Sequence, residues 1–163
     1  MQWNDFIDQQ GPLVYRTSLR IVGQAADAED VVQDVFLEVH RLWNRRSVDR
    51  WPSLLKLLAT RWSIDLLRRK KSCEPLTEQA TSVDHDNPER TAEAKELQEI
   101  VRQEIARLPQ QQATLFALHY LENQSHDEIA EAIGMTPRAV ASALHKARRR
   151  LESRLEKVMT LNR

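Results

Sequence analysis

Residues 123–150 read NQSHDEIAEAIGMTPRAVASALHKARRR. Two short amphipathic segments meet at Gly134, where a positive φ is cheap only for a residue without a Cβ. Ser125 and Glu128 stand three residues apart at the start of the first segment, which is the spacing of a helix capping box. The stretch therefore predicts two helices joined by a tight turn.

The second segment has the features of a recognition helix. Thr136 is placed to cap it, and Pro137 at its first position gives up an N–H that would have no partner. Val140 and Leu144 fall on one inner face. The remaining side chains point outward, where they would meet a major groove: Thr136, Arg138, Ala141, Ser142 and His145. An ordinary αα-hairpin with a charged surface is the alternative, but the ordered caps, turn glycine and basic tail favour a DNA-binding helix-turn-helix.

The distribution of charge along the chain, rather than the net charge, agrees with a helical, nucleic-acid-binding protein. Of the 163 residues, 41% are hydrophobic and 29% are charged, with three glycines and a formal net charge of zero. Basic residues nevertheless gather in two places, residues 61–71 and residues 136–163, while acids dominate residues 84–104. A polyanion would meet two separate basic patches.

Several classes of protein are not expected from the sequence. Cys73 is the only cysteine, so an intrachain disulfide is impossible and a reducing, cytoplasmic setting is expected. The N-terminal MQWNDFIDQQ lacks the apolar core of a signal peptide, and no run approaches a membrane span, so no membrane insertion is expected. The five histidines have no metal-ligand spacing and no glycine-rich phosphate loop exists, so we expect no enzyme, no metal and no cofactor.

The first half of the chain predicts three amphipathic helices. The first covers residues 3–22, and Pro12, which follows a glycine, is expected to interrupt it. The second begins at Asp27, where acidic side chains suit the positive end of the helix dipole. The third begins near residues 49–52 and continues to about Lys71.

The second half predicts a further helix pair before the helix-turn-helix. Helical spacing returns at Thr91, and Pro109 is expected to end that helix. Another helix covers about residues 110–121. Residues 73–90 are rich in Pro, Ser, Thr and acids, which is typical of a linker. The sequence thus predicts an all-α fold of two small helical domains, residues 1–72 and 91–163.

Two surfaces of the first domain exceed the needs of packing. The second helix has an acidic, amide-rich face, for which a simple solvated surface is the alternative. The third helix combines Trp62 with a basic run at its C-terminal end, where cations suit the dipole and can reach phosphates. Trp62 could stack on an unpaired base, although a tryptophan at such a position is more often part of the core.

Both halves resemble conserved regions of one family. DAEDVVQDVF followed by WP…L…IDLLRRKK resembles the second conserved region of bacterial sigma factors, and the segment from LPQQQATLFALHYLE to HKARRRL resembles their fourth region. With only these two regions, the chain resembles an extracytoplasmic-function sigma factor. The resemblance implies a transcription initiation factor whose partners are core RNA polymerase, promoter DNA and an anti-sigma factor.

The resemblance also implies three groups of functional residues. The acidic face would bind core polymerase through Asp27, Glu29, Asp30, Gln33 and Asp34. The third helix would recognise the minus-ten element through Arg61, Trp62, Asp65, Arg68, Arg69 and Lys70. The recognition helix would read the minus-thirty-five element through Thr136, Arg138, Ser142, His145, Lys146 and Arg149.

The chain departs from the family pattern at a few positions. Arg61 stands where the family usually has an asparagine, and Ala141 and Ala143 stand where basic or polar residues are usual. Ala113 and Thr114 replace the usual Arg-Glu. We therefore expect an altered promoter preference. The competing hypothesis is a helix-turn-helix regulator whose N-terminal domain senses a ligand or dimerises.

Overall fold

The computed structural model describes residues 2–43, 50–73 and 91–161 of the chain. Across these ranges the chain forms seven α-helices and no strand, which confirms the all-α prediction. The helices are α1 (Trp3–Val22), α2 (Ala25–Trp43), α3 (Trp51–Cys73), α4 (Ala92–Ala106), α5 (Gln110–Tyr120), α6 (His126–Ile133) and α7 (Pro137–Leu161). None of the described helices is long and apolar enough to cross a membrane.

The predicted interruption of α1 is wrong. The helix runs unbroken through Pro12, although this residue cannot donate the usual backbone hydrogen bond. Pro12 lies on the exposed side of α1, so water can satisfy the carbonyl that the proline leaves unpaired. The helix ends instead at Gly23, whose φ of 77° makes a left-handed cap, with its N–H donating to the carbonyl of Leu19 at 2.9 Å.

Other helix boundaries differ from the sequence expectation by two or three residues. The second helix begins at Ala25 rather than Asp27, and the third continues to Cys73, which the sequence had placed in the linker. The fourth helix ends at Ala106, three residues before Pro109. The rest of the expected linker, residues 74–90, lies outside the described residues.

The first three helices enclose an apolar core with an aromatic end. Phe6 has 1% of its surface exposed and lies among the rings of Trp3, Trp43 and Trp51 at centroid distances of 4.6 to 5.9 Å. Such stacked and edge-on contacts add to the free energy gained from area burial. This cluster ties the start of α1 to the end of α2 and to the first turn of α3.

Helix α3 belongs to a first group of helices, α1–α3, and also packs against a second group, α4–α7. Leu58 and Leu66 pack into the core formed with α1 and α2. Ile64, by contrast, belongs to a cluster with residues of α4, α5 and α7, and Leu57 belongs to the core of the helix-turn-helix. Because these two faces point in different directions around one helix, α3 is covered on both sides.

Candidate nucleic-acid interface

The helix-turn-helix is held by the caps that the sequence predicts. The backbone N–H of Ser125 donates to the Glu128 carboxylate at 2.8 Å, and the Glu128 N–H donates to the Ser125 hydroxyl at 3.1 Å. The hydrogen bond from the Ser125 backbone, followed by that from its hydroxyl, holds the pKa of the Glu128 carboxyl below its usual value. Gly134 closes α6 in a left-handed conformation with a φ of 77°.

The recognition helix α7 is oriented by its inner face. Val140, Leu144 and Ala147 are buried, and the N–H of Ala139 donates to the Thr136 hydroxyl at 3.1 Å. The opposite face carries the remaining predicted side chains in exposed positions: Arg138, Ser142, His145, Lys146 and Arg149. Hydrogen-bond donors thus line the side of α7 that the fold leaves open.

The two alanines of the recognition helix occupy different environments. Ala143 packs against the buried cluster of the helix-turn-helix, so it does not belong to the outward face. Ala141 is half-buried at the edge of that face. Of the two departures from the family pattern, Ala141 is therefore the one placed to affect contacts in a groove.

A basic cleft adjoins the C-terminal part of the recognition helix. Its volume is about 750 Å³, and its lining includes six cationic side chains: Arg68, Arg107, Arg149, Arg150, Arg154 and Lys157. Arg150 donates to Gln112 at 3.2 Å, which places its guanidinium over the first turn of α5. This cluster extends the positive surface beyond the exposed face of α7 and suits a polyanion.

The predicted minus-ten residues on α3 fall into exposed and engaged sets. Arg61, Arg69 and Lys70 are exposed. Trp62 is half-buried against the first core, and its indole N–H donates to Glu38 at 2.7 Å. The ring therefore has a fixed place in the fold, as expected for a core tryptophan.

Asp65 and Arg68 contact the second group of helices. The Nε of Arg68 donates to the carbonyl of Ala106 at 2.9 Å, and another of its nitrogens donates to the carbonyl of Leu108. The side-chain amide of Gln110 donates to Asp65 at 3.1 Å. The turn between α4 and α5 thus lies on the face of α3 from which promoter contacts were expected.

The acidic face of α2 is largely accessible. Glu29, Asp30 and Gln33 are exposed and Asp34 is half-buried. Asp27 is different, because it is buried and accepts a hydrogen bond from the ammonium of Lys70 on α3.

The acidic face of α2 and the basic end of α3 share one edge of the molecule. A cleft of about 400 Å³ runs between them, and its lining includes Asp30, Asp34, Arg69 and Lys70. The predicted polymerase-binding and minus-ten groups therefore adjoin each other, which the sequence order alone did not indicate.

Sequence reasoning missed the polar contacts between the two groups of helices. The carboxylate of Glu122, with 1% of its side chain exposed, accepts from the Thr17 hydroxyl at 3.0 Å and from Arg20 at 2.9 Å. Arg50 on the other side pairs with Glu131 of α6. No local pattern marks these residues, because their partners lie 81 to 105 residues away in the chain.

Family models match both groups of helices. The model of sigma-70 region 2 matches residues 6–73, and the model of sigma-70 region 4 matches residues 98–151. The two matches come in the family's order and together span most of the described helices.

Curated relatives of the chain are described as ECF RNA polymerase sigma factors. The ECF RNA polymerase sigma factor SigE of Mycolicibacterium smegmatis is 27% identical over 159 residues, covering 95% of this chain and 62% of the relative. The ECF RNA polymerase sigma factor SigW of Bacillus subtilis is 27% identical over 163 residues, covering 93% of this chain and 87% of the relative. The chain thus spans less than two thirds of the length of the mycobacterial relative.

Solved structures share the fold. CnrH, in its complex with the cytosolic domain of CnrY, superposes with a TM-score of 0.60 at 19% identity, covering 94% of this chain and 87% of that chain. The sigma factor RpoE, in complex with the anti-sigma factor NepR from Bartonella quintana, gives a TM-score of 0.58 at 16% identity, covering 93% and 97% of the two chains.

The fold, the helix-turn-helix and both matched regions define a class of promoter-recognition subunits. The chain belongs to the sigma-70 family. Within that family it is a sigma factor of the extracytoplasmic-function type, since it combines regions 2 and 4 and its relatives carry that description.

Proposed function

We propose that this sigma factor binds core RNA polymerase and directs it to promoters by holding the DNA at two points. The observation that carries the proposal is the capped helix-turn-helix with an exposed donor-rich face, on the same chain as an accessible acidic helix beside a basic one. In this proposal, the exposed face of α7 recognises duplex DNA, α3 contacts the melting strand, and the acidic face of α2 binds the polymerase.

The recognition helix is proposed to read the minus-thirty-five element. An α-helix fits the major groove of B-DNA, and an arginine that contacts a guanine through two hydrogen bonds discriminates by roughly 1–3 kcal/mol. Arg138 lies in the first turn of α7, where recognition helices contact base edges. Lys146 and Arg149 lie further along the same exposed face and are proposed to contact phosphates.

The exposed part of α3 is proposed to contact the minus-ten element. Arg61 and Arg69 offer exposed cations, and Lys70 keeps 46% of its side chain exposed while it contacts Asp27. These three positive charges suit the phosphate backbone of an opening strand. Asp65 and Arg68 are proposed to join them once the α4–α5 turn has moved away. Trp62 is proposed to support the helix from behind, since Glu38 holds its N–H.

The acidic face of α2 is proposed to bind core polymerase. Asp30 and Asp34 present carboxylates, and Gln33 between them presents an amide, all along one side of the helix. Carboxylates that meet basic side chains form charge-assisted hydrogen bonds, which are about twice as strong as neutral ones. Asp27 contributes indirectly in this proposal, because its contact with Lys70 keeps α2 and α3 in register.

An anti-sigma factor is proposed as a further partner. The related fold of RpoE was solved in complex with the anti-sigma factor NepR. Expression of a candidate partner together with this chain should lower promoter-directed transcription, and the two proteins should co-purify. A candidate that binds without lowering transcription would contradict this role.

Transcription by core polymerase on a randomised promoter library tests the main function. We expect start sites that depend on this chain and a recovered motif with two separated elements. If no library member yields start sites and core polymerase does not co-purify with the chain, the proposal fails. Binding to DNA without polymerase binding would instead indicate a helix-turn-helix regulator.

Charge reversal on α2 tests the polymerase surface separately. The double substitution of Asp30→Lys and Asp34→Lys should abolish co-purification of core polymerase and leave binding of duplex DNA by α7 unchanged. Asp8→Lys, which reverses an exposed acid on α1, is the matched control and should retain polymerase binding. Equal retention by the double variant would place the polymerase contact elsewhere.

A further inference from the structure

We propose that the basic cleft beside α7 is a binding site for a small oligophosphate, a ligand distinct from promoter DNA. The cleft has a volume of about 750 Å³, within the range of roughly 300–1,000 Å³ that small-molecule sites occupy. Six cations line it, whereas no acidic side chain of the described residues does. A cleft of this size and charge suits a compact ligand with several linked negative groups.

The buried face of α7 fixes which of its cations line the cleft. Ala147 and Leu151, one helical turn apart, are buried in the cluster that contains Leu108 of the α4–α5 turn. This packing holds α7 against the turn and brings Arg150 and Arg154, which are also one helical turn apart, into the lining of the cleft. The positions of these cations therefore follow from the core beneath them.

Cations from three segments of the chain converge on the cleft, and most of them lack a carboxylate partner. Arg68 comes from α3, Arg107 follows α4, and the other four come from α7. Of the six, only Arg107 has a carboxylate within 4.0 Å among the described residues, that of Glu104. Outside the cleft, by contrast, Arg20 and Lys70 both pair with carboxylates. Like charges held close together repel each other, so a bound anion would offset this repulsion.

Arg154 has a hydrogen-bond donor that the fold leaves unused. Its Nη1 is buried and has no hydrogen-bond partner among the described residues. Leaving a buried charged donor unpaired costs more free energy than leaving a neutral one unpaired, so such donors are ordinarily satisfied in folded proteins. A phosphate oxygen in the cleft would supply the acceptor, because the planar guanidinium fork matches the geometry of phosphate.

The N-terminal end of α5 adds backbone donors at the same place. Pro109 and Gln110, where this helix begins, both line the cleft. Pro109 occupies the N-cap position, and a proline side chain cannot accept a hydrogen bond from the first N–H groups of the helix. These N–H groups have no intrahelical partner, and the helix dipole favours an anion beside them. An anion in the cleft would therefore meet both guanidinium groups and a helix N-terminus.

The arrangement of the cations favours an oligophosphate over duplex DNA. Lys157 lies 19 residues beyond Arg138, which is about 28 Å along α7 at roughly 1.5 Å per residue. A recognition helix contacts base edges through its first turns, and the major groove is only about 12 Å wide, so a duplex at Arg138 is not placed to fill the cleft. A short chain of linked phosphates carries a negative charge on each unit and can reach cations from all three segments. Inorganic tripolyphosphate and the phosphate tail of a nucleoside triphosphate share this chemistry.

Three variants test the cleft without touching the proposed polymerase or promoter contacts. The double substitution of Arg150→Gln and Lys157→Gln removes two exposed cations from the lining. Arg154→Lys keeps the positive charge but removes the guanidinium fork. The double substitution of Arg16→Gln and Arg41→Gln is the matched control, because it removes two exposed cations of α1 and α2 that lie outside the cleft.

Isothermal titration calorimetry on the full chain measures the binding of inorganic tripolyphosphate in a buffer without divalent cations. Adenosine triphosphate, inorganic phosphate and citrate are titrated at the same ionic strength. We expect tripolyphosphate to bind more tightly than phosphate or citrate and to raise the melting temperature of the parent. The double cleft variant and Arg154→Lys should each bind about tenfold more weakly, because each loses charge-assisted hydrogen bonds to the ligand. The control variant should bind like the parent, and thermal unfolding without ligand checks that each variant folds.

The comparison of ligands identifies the source of the phosphate chain. Tripolyphosphate binding at least as tightly as adenosine triphosphate makes the phosphate chain itself the ligand, and tighter binding of adenosine triphosphate adds a contribution from the nucleoside. Both results support the site. Citrate binding as tightly as tripolyphosphate, or equal weakening in the cleft and control variants, would indicate unspecific charge attraction and overturn the inference.

Duplex DNA is the competing occupant of the cleft. A folded parent that binds no tripolyphosphate, together with weaker duplex binding by the double cleft variant, would assign the cleft to the DNA backbone and overturn the inference. The calorimetry requires neither polymerase nor a promoter. The oligophosphate site and the proposed function can therefore fail independently of each other.

Discussion

The indole N–H of Trp62 donates to the carboxylate of Glu38 at 2.7 Å and thereby fastens α3 to α2. The contact crosses 24 residues of sequence and lies at the border between the apolar core and the surface. A charged acceptor makes it stronger than an ordinary neutral hydrogen bond. The Trp62 ring therefore supports α3 within the fold and is not a free stacking platform.

We expect this contact to contribute measurably to stability. Trp62→Phe keeps an aromatic ring but removes the hydrogen-bond donor, so it should lower the free energy of unfolding by about 1.5–3 kcal/mol, with a further loss from the smaller ring. Glu38→Gln keeps an acceptor but removes its charge. Urea unfolding of both single variants and the double variant isolates the pairwise energy. Strictly additive losses would mean that the two side chains do not interact in solution.

The capping box should make the stability of the helix-turn-helix depend on pH. The pKa of Glu128 is lowered in the folded chain by the hydrogen bonds from Ser125. Because the pKa is lower in the folded chain than in the unfolded chain, the carboxylate's contribution to stability is fully present above the unfolded pKa of 4.5. It disappears as the pH falls through the folded pKa. In urea unfolding, Glu128→Gln should have a lower free energy of unfolding than the parent at neutral pH, and this difference should shrink below pH 4.5.

Glu156→Gln is the control for this experiment, because Glu156 is exposed in the middle of the C-terminal half of α7 and its carboxylate caps no helix. Its stability relative to the parent should not change with pH in the same range. A deficit of Glu128→Gln that stays constant down to acidic pH would contradict the assignment of the pH dependence to the cap.

Gly134 should lose stability on replacement by alanine. Gly134 has a φ of 77° and open space where a Cβ would be added, so Gly134→Ala is strained only through its backbone and should cost about 1–2 kcal/mol. Thermal or urea unfolding measures the loss, and an unchanged stability of Gly134→Ala would contradict the left-handed conformation at this position.

The salt dependence of DNA affinity should distinguish side chains of α7 that contact bases from those that contact phosphates. Arg138→Ala should weaken binding to the recovered minus-thirty-five duplex by about 1–3 kcal/mol and relax its base preference at one position. Arg149→Ala should weaken binding to all duplexes alike and reduce the slope of affinity against salt by about one. Fluorescence anisotropy at several salt concentrations distinguishes the two.

Arg41→Ala removes an exposed arginine from α2 and should leave both the affinity and the salt slope unchanged. If Arg138→Ala behaves like Arg149→Ala, with uniform weakening and a reduced slope, Arg138 contacts phosphate and the reading of bases depends on other residues. The exposed Ser142 and His145 would then be the next residues to test.

Local chemistry made the helix-turn-helix predictable. The capping box of Ser125 and Glu128, the left-handed Gly134 and the cap at Thr136 each depend on residues within four positions of each other, so a short stretch contains the whole cause. The same reasoning was wrong at Pro12, because whether a proline interrupts a helix depends on which side of the helix meets water. The boundary at Ala106 was also missed, since Pro109 restricts only the residues next to it.

The described helices, the caps of the recognition helix and the family could all be predicted from the sequence, because they follow from the spacing of apolar residues and from contacts within one turn. The packing of the helices, by contrast, sets which predicted site residues are accessible. This packing buries Asp27 against Lys70, places Trp62 in contact with Glu38, and brings Arg68 to the end of α4. These contacts join residues 24 to 43 positions apart, so their energies depend on how α3 packs between its neighbours, and no local pattern encodes that packing.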